Sequence, residues 1–157
     1  MGVMLDTPVT RFLQQEGIPF LLLPHNQPAR TIEEAAQARG VSPELMVKSI
    51  LLRDMGGLHV LACVPGTRQV DPRKVRGLFG CRRMTCADAI DVEAVTGLKI
   101  GTVAPVGLKH PLPVIFDESL KDFTRVNISS GNQMAGIELA FDDLAGLCKP
   151  CFGDICR

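Results

Sequence analysis

An α+β fold with a mixed sheet is what this sequence predicts, on three observations. Helix-like and strand-like segments are interleaved along the chain. Two strand-like runs, Lys48 to Arg53 and His59 to Val64, flank a Met-Gly-Gly turn and read as a hairpin, which argues against a doubly wound parallel sheet. Hydrophobic residues are 46% of the 157 and charged residues 22%, the balance of a globular chain long enough to bury one substantial core. No internal repeat, low-complexity tract or long linker divides it, so residues 1–157 are expected to form a single domain.

Thr7-Pro8 opens a first helix as N-cap and first helical residue; Val9, Phe12 and Leu13 supply its apolar face, and Gly17 closes it. Ile18 to Leu23 is a strand-like run ended by Pro24-His25-Asn26. Thr31-Ile-Glu-Glu34 has the form of a capping box, in which a threonine oxygen and a glutamate three positions on satisfy each other's free amides. That helix ends at Gly40, and Ser42-Pro43-Glu44 starts a short one before the hairpin. Asp71-Pro72 caps a helix whose Val75, Leu78 and Phe79 share a face and which ends at Gly80, and Asp91 to Val95 is a short helix stopped by Gly97. Strand-like runs follow near Leu98 to Ile100, Pro113 to Phe116, Arg125 to Ile128 and Gly136 to Phe141, and Asp142 begins a last short helix.

Formal net charge is zero, so no overall field draws in a long polyanion, and DNA binding is not expected. A local patch could still recognise one end of a nucleic acid. Arg68, Arg73, Lys74, Arg76, Arg82 and Arg83 form a basic stretch that reads first as a solvated helix face. Trp and Tyr are absent, which leaves base stacking to the seven Phe or three His and excludes the profile of a sequence-reading RNA module. No apolar run is long enough to span a bilayer and the N-terminus lacks a signal-peptide pattern, so no membrane association and a cytoplasmic location are expected.

In that compartment the cysteines, Cys63, Cys81, Cys86, Cys148, Cys151 and Cys156, are expected to be reduced thiols. Cys148-Lys-Pro-Cys151 nevertheless has the spacing of half a zinc site, which Cys81 and Cys86 could complete, and the proline of a thioredoxin-like pair. The chain carries no GxSxG elbow, no HExxH and no Walker lysine. His25, His59 and His110 show no ligand spacing, though His25 lies in a turn from which it could line a cleft.

Lys48, at the start of the apolar strand VKSILL, is a candidate active-site cation, because a desolvated ammonium needs an anion or dipole to meet it. Taken alone it reads first as a strand-edge lysine reaching solvent. Two small-residue loops follow: Gly101-Thr102-Val-Ala-Pro105-Val-Gly107, and Ser129-Ser130-Gly131 ahead of GIELAF. In order and spacing these segments resemble the YbaK/prolyl-tRNA-synthetase editing-domain family, with PARTIEEAAQARGVSPELMVKSILL typical of it throughout. The resemblance runs from TPVTRFLQQEGIPF to FGDICR.

The resemblance implies a partly barrel-like sheet flanked by short helices. It also implies a free-standing aminoacyl-tRNA deacylase that hydrolyses the ester of a small mischarged amino acid, such as Ala or Cys on tRNA-Pro, with a tRNA synthetase as a further partner. By it Lys48 is catalytic and contacts the ester or the phosphate of the terminal adenosine. Gly101, Thr102, Pro105 and Gly107 build a rigid acyl-binding loop, Ser129, Ser130 and Gly131 floor the pocket, and His25 borders it. No cofactor or metal is implied. Glu138 reads either as an acidic residue near the site or as an outward strand position. Two departures stand out: Asn-Gln-Met-Ala follows Gly131 where many relatives carry basic residues, and no tyrosine is present. The alternative functions are a non-catalytic binder of aminoacyl-tRNA or an aminoacyl-adenylate-like ligand, and a zinc or redox protein built on the CKPC tail.

Overall fold

A computed structural model describes residues 5–157. Its helices are α1 (Pro8–Gln15), α2 (Ile32–Arg39), α3 (Pro72–Phe79), α4 (Ala89–Thr96) and α5 (Phe141–Cys148). Its strands are β1 (Leu21–Pro24), β2 (Val47–Asp54), β3 (His59–Pro65), β4 (Met84–Cys86), β5 (Val114–Asp117), β6 (Arg125–Ser129), β7 (Ala135–Ala140) and β8 (Cys151–Gly153). The fold is mixed α+β. One sheet runs β1-β7-β6 and is antiparallel; the other runs β4-β2-β3-β5-β8, antiparallel at β4-β2-β3 and parallel at β3-β5-β8.

The starts of α1, α2 and α3 follow their expected caps, whereas α4 begins two residues before Asp91, capped by Asp88, and α5 begins at Phe141 with no side-chain cap. The Thr7 hydroxyl accepts from the Thr10 amide and Thr10 answers on the Thr7 amide, so the reciprocal box forms here. At α2 only half of the expected box appears. Thr31 accepts from the Glu34 amide at 3.0 Å, but the Glu34 carboxylate reaches the amide of Arg30, one residue before the cap. Leu98 to Ile100 is a turn rather than a strand, because the Thr96 hydroxyl captures both the amide and the carbonyl of Leu98. Leu78 is 57% exposed, so the buried contribution of α3 comes from Val75 with partial help from Phe79.

β3 is buried along nearly its whole length, which explains its unbroken apolar run: it lies between β2 and β5, and a hydrophobic cluster covers each of its faces. On one face lies the main core, where Leu51, Leu61 and Phe116 meet Ile137 and Leu139 of the other sheet and Val9 and Leu13 of α1. On the other face Leu52, Val60 and Ala62 pack against Val75 and the C-terminal Ile155. The two sheets are joined by a parallel bridge, Met46 to Asn127.

Asp117 ties the C-terminal segment to this sheet. Its side chain is 2% exposed and accepts from the Ser119 amide and hydroxyl and from the Ile155 amide at 3.0 Å. Burial alone would raise its pKa, but these hydrogen bonds outweigh burial and hold it below the ordinary 3.8. A carboxylate with a lowered folded pKa contributes stability that is present above its unfolded value and lost as pH falls through the folded one. Asp117→Ala is therefore expected to cost about 2–3 kcal/mol in urea unfolding at neutral pH. The gap from wild type should close on acidification; a gap that does not change with pH would contradict this account.

Candidate functional site

β2 is bare along part of one edge, and the cavity opens there. Its partners are β3 over Val47–Arg53, β4 from Leu52 onward and the Met46 bridge to β6, so between Met46 and Leu52 the edge away from β3 carries no strand. The amide of Ala87 bonds the Leu51 carbonyl on that edge, and the amide of Leu61 bonds Pro113 on the far side of β3. Main-chain groups in an antiparallel strand alternate in direction, so the amide and carbonyl of Ser49 share the open edge with Leu51. Both side-chain rows of β2, Lys48 with Ile50 and Ser49 with Leu51, border the space beyond it.

This space is a cavity of about 390 Å³. It brings together Lys48, Gly101, Ser129 and His25, four of the residues predicted for the site, from widely separated segments. Arg30, Arg39 and Lys48 line it, and no Asp or Glu does. Lys48 is half-buried and makes no ion pair among the described residues. Burial lowers its pKa from the ordinary 10.5, and the charge of Glu33 in α2 opposes the shift. The Ser129 hydroxyl donates to the Thr102 carbonyl at 2.7 Å and accepts from the Gly131 amide at 3.0 Å, clamping the two small-residue loops together.

The other residues predicted for the site stand behind the cavity wall. The Thr102 hydroxyl is turned to the Lys99 carbonyl, and the Pro105 carbonyl receives the Cys148 thiol. Gly107 packs on the backbone of Pro8 and Val9, and Gly131 on Leu98 and Thr7. The Ser130 hydroxyl is fully buried and donates to the Ala135 carbonyl. Glu138 pairs with Arg125 at 3.0 Å and does not line the cavity, which makes it the outward strand position.

The cysteine tail takes the same structural character. Cys148 donates to Pro105 and Cys151 to Val114, all six thiols are free, and burial pushes the Cys148 pKa above the usual thiol range. Cys148 borders the main core, whereas Cys81 packs with the cluster on the opposite face of the sheet. No group of three His, Cys, Asp or Glu suited to a metal ion occurs among the described residues.

Two residues not foreseen from the sequence dominate the polar chemistry of the wall. Asn127 is 2% exposed and its Oδ1 has no partner, an acceptor buried at the cavity surface. The Arg39 Nη1 is likewise buried without a partner. The Arg39 Nε donates to the His25 Nε2 at 3.0 Å, and the His25 Nδ1 lies 2.9 Å from the Gln133 carbonyl. A carbonyl can only accept, so Nδ1 carries the proton and Nε2 offers its lone pair to Arg39. Burial, with the nearby Arg39 charge, holds the His25 pKa below 6.5 despite the Gln133 carbonyl, keeping this neutral tautomer in place. Arg39, last residue of α2, could be read from sequence only as a cation favouring a helix C-terminus. For Asn127 the available signal was a polar side chain between the apolar Val126 and Ile128 of a strand-like run.

Among the described residues no helix is long and apolar enough to cross a membrane. Residues 26–147 match the family described as the aminoacyl-tRNA editing domain. The YwhH protein of Bacillus subtilis (strain 168) is 36% identical over 129 residues, 81% of this chain and 81% of its own. EbsC of Enterococcus faecalis (strain ATCC 700802 / V583), described as a candidate Cys-tRNA(Pro)/Cys-tRNA(Cys) deacylase, is 23% identical over 151 residues, covering 95% of this chain and 92% of its own. A crystal structure described as a candidate trans-editing enzyme for prolyl tRNA synthetase superposes with a TM-score of 0.85 at 29% identity, over 98% of this chain and 99% of that one. With the family pattern matched across most of its length and the fold shared, this chain belongs to the aminoacyl-tRNA editing-domain family.

Proposed function

We propose that the protein is a free-standing deacylase that removes a small mischarged amino acid, such as Ala or Cys, from tRNA-Pro, working alongside a prolyl-tRNA synthetase. The observation that carries this reading is the convergence of Lys48, Gly101 and Ser129 on one cavity lined by three cations and no carboxylate. A cationic cavity suits a ligand that brings both a phosphate and a developing oxyanion. Its volume of about 390 Å³ is that of a small-molecule site, with Met46, Leu51, Val92 and Val103 offering an apolar wall to a short acyl chain. The orphan Oδ1 of Asn127 would accept from the substrate's α-ammonium. The need for such an activity is physical: a synthetase pocket rejects a smaller side chain by only about 1–3 kcal/mol per methylene, so a second site must cleave what the first admits.

In this mechanism no side chain is the nucleophile. The Ser129 hydroxyl is engaged on both sides, and the Ser49 hydroxyl, which also borders the cavity, is paired with the Cys63 thiol behind it at 3.4 Å. Water attacks the ester carbonyl, Lys48 stabilises the oxyanion, and the neighbouring ribose hydroxyl of the substrate assists proton transfer.

One observation favours the second reading, a non-catalytic aminoacyl-tRNA binder. Both ring nitrogens of His25 are committed and no carboxylate lines the cavity, so its side chains supply no general base. Alanyl-, cysteinyl-, seryl- and prolyl-tRNA-Pro, incubated with enzyme and without, separate the two. The deacylase reading expects alanyl or cysteinyl ester to disappear at least about a hundredfold faster than spontaneously, the contribution of oxyanion stabilisation alone. Micromolar binding with no acceleration on any of the four would establish the binder instead.

A further inference from the structure

We propose that Arg39 is an anion-binding residue of the cavity, seating the phosphodiester of the nucleotide that carries the ligand's acyl group, in a subsite built by His25 and Gly136. The identity of the anion as a nucleic-acid phosphate rests on the functional reading above; the existence of the subsite does not.

Three observations carry it. Nε is spent on His25, so only the far end of the guanidinium remains, and there Nη1 is buried with no partner in a cavity that holds no carboxylate. An unpaired buried donor on a charged group is costly unless a ligand meets it. The guanidinium is also seated rather than adrift. It lies on the backbone of Gly136, where a Cβ would stand 2.0 Å from Cζ and Nε. Gly136 in turn pairs with Ser129 of the cavity wall. Finally, the loop that bears His25 is stitched to the 132–134 turn by the His25 and Ala29 amides, which fixes the imidazole that aims Arg39.

A guanidinium end matches the paired oxygens of a phosphate or a carboxylate. The surroundings favour phosphate. Arg30, exposed at the rim, also lines a second, open groove of about 620 Å³ that runs along residues 24–38. That groove is lined by Glu34 as well as Arg30 and carries no net charge, so the cavity itself makes the distinction: a short acyl group belongs against the apolar wall around Leu51 and Val103, which leaves the guanidinium end to the phosphate.

Calorimetric titration of the wild-type protein with adenosine 5′-methyl phosphate and with adenosine tests this without any turnover assay. The diester should bind about tenfold to a hundredfold tighter than the nucleoside, the range of a charge-assisted hydrogen-bond pair. Arg39→Gln should bring the two within about twofold, Arg39→Lys should retain part of the preference because it keeps the charge but not the fork, and Gly136→Ala should behave as Arg39→Gln by displacing the guanidinium. Equal binding of diester and nucleoside by the wild type, or an unchanged preference in Arg39→Gln, would overturn the proposal. So would Arg39-dependent selection of L-aspartate over L-alanine without a phosphate preference, which assigns the subsite to a carboxylate. Deacylation without the preference leaves the enzyme standing and removes Arg39's role; the preference without deacylation does the reverse.

Discussion

Lys48→Ala should lower kcat/KM for deacylation by about 10²–10³-fold, the loss of roughly 3–4 kcal/mol of transition-state stabilisation that follows removal of one oxyanion donor. Lys48 stands in a strand whose neighbours Val47, Leu51 and Leu52 are buried, yet it is itself half-buried, borders the cavity and has no carboxylate partner among the described residues. Holding an ammonium there without a counter-ion costs stability, so the alanine variant should melt no lower than wild type. Stability and activity moving in opposite directions is the signature of a functional rather than a structural cation. The kinetic split then tells which charge the ammonium meets. A fall in kcat at constant KM places it on the oxyanion, whereas a rise in KM at constant kcat places it on the ground-state phosphate. Full activity in the alanine variant would remove Lys48 from the mechanism.

Much of the scaffold was legible because it is set by local chemistry. The starts at Pro8, Ile32 and Pro72 each follow a side chain that accepts a first-turn amide, and α2 and α3 end at the expected glycines. The hairpin of β2 and β3 was marked by apolar runs on either side of Met-Gly-Gly. What could not be read depends on distant partners. β4 and β8 are three residues each, with only Met84 among the six buried, so neither has a pattern of its own; they are strands only because Leu52 and Ile115 offer them register. Leu78 fits the helical spacing of an apolar face, but its place beside Gly153 leaves more than half of it in solvent.

The site divides in the same way. Lys48, Gly101, Ser129 and His25 carry a sequence signal in their residue type and order. The roles of Arg39 and Asn127 depend on which atoms are left without partners once three elements have come together. Gly136 seemed part of a motif, yet its absent side chain is what admits a guanidinium contributed by a helix nearly a hundred residues earlier in the chain.

Gly101 and Gly107 open and close one loop, both with positive φ, and they should fail in opposite ways. At Gly107, φ is 71° and an added Cβ would stand 2.6 Å from the Pro8 carbonyl oxygen and 2.9 Å from the Val9 Cα. The obstacle is the backbone of α1, whose Val9 and Leu13 are fully buried, so it cannot swing away as a flexible side chain would. Left-handed strain of about 1–2 kcal/mol and overpacking of about 1–3 kcal/mol add to roughly 3–4 kcal/mol for Gly107→Ala. For a chain of this size that is a fall in Tm of roughly 8–12 °C, with KM preserved at temperatures where the variant is folded. At Gly101, φ is 87° but nothing lies within 4 Å of the added Cβ, so Gly101→Ala pays the strain alone. The new methyl sits on a residue that borders the cavity, so its main effect should be on KM for the acylated substrate. Thermal melts and steady-state kinetics on the two variants decide it. A large fall in Tm with intact KM at residue 107, beside a raised KM with a fall in Tm of only about 3–6 °C at 101, divides the loop into a packing end and a binding end. The reverse assignment would mean that the cavity wall is formed by the far end of the loop, against the geometry described here.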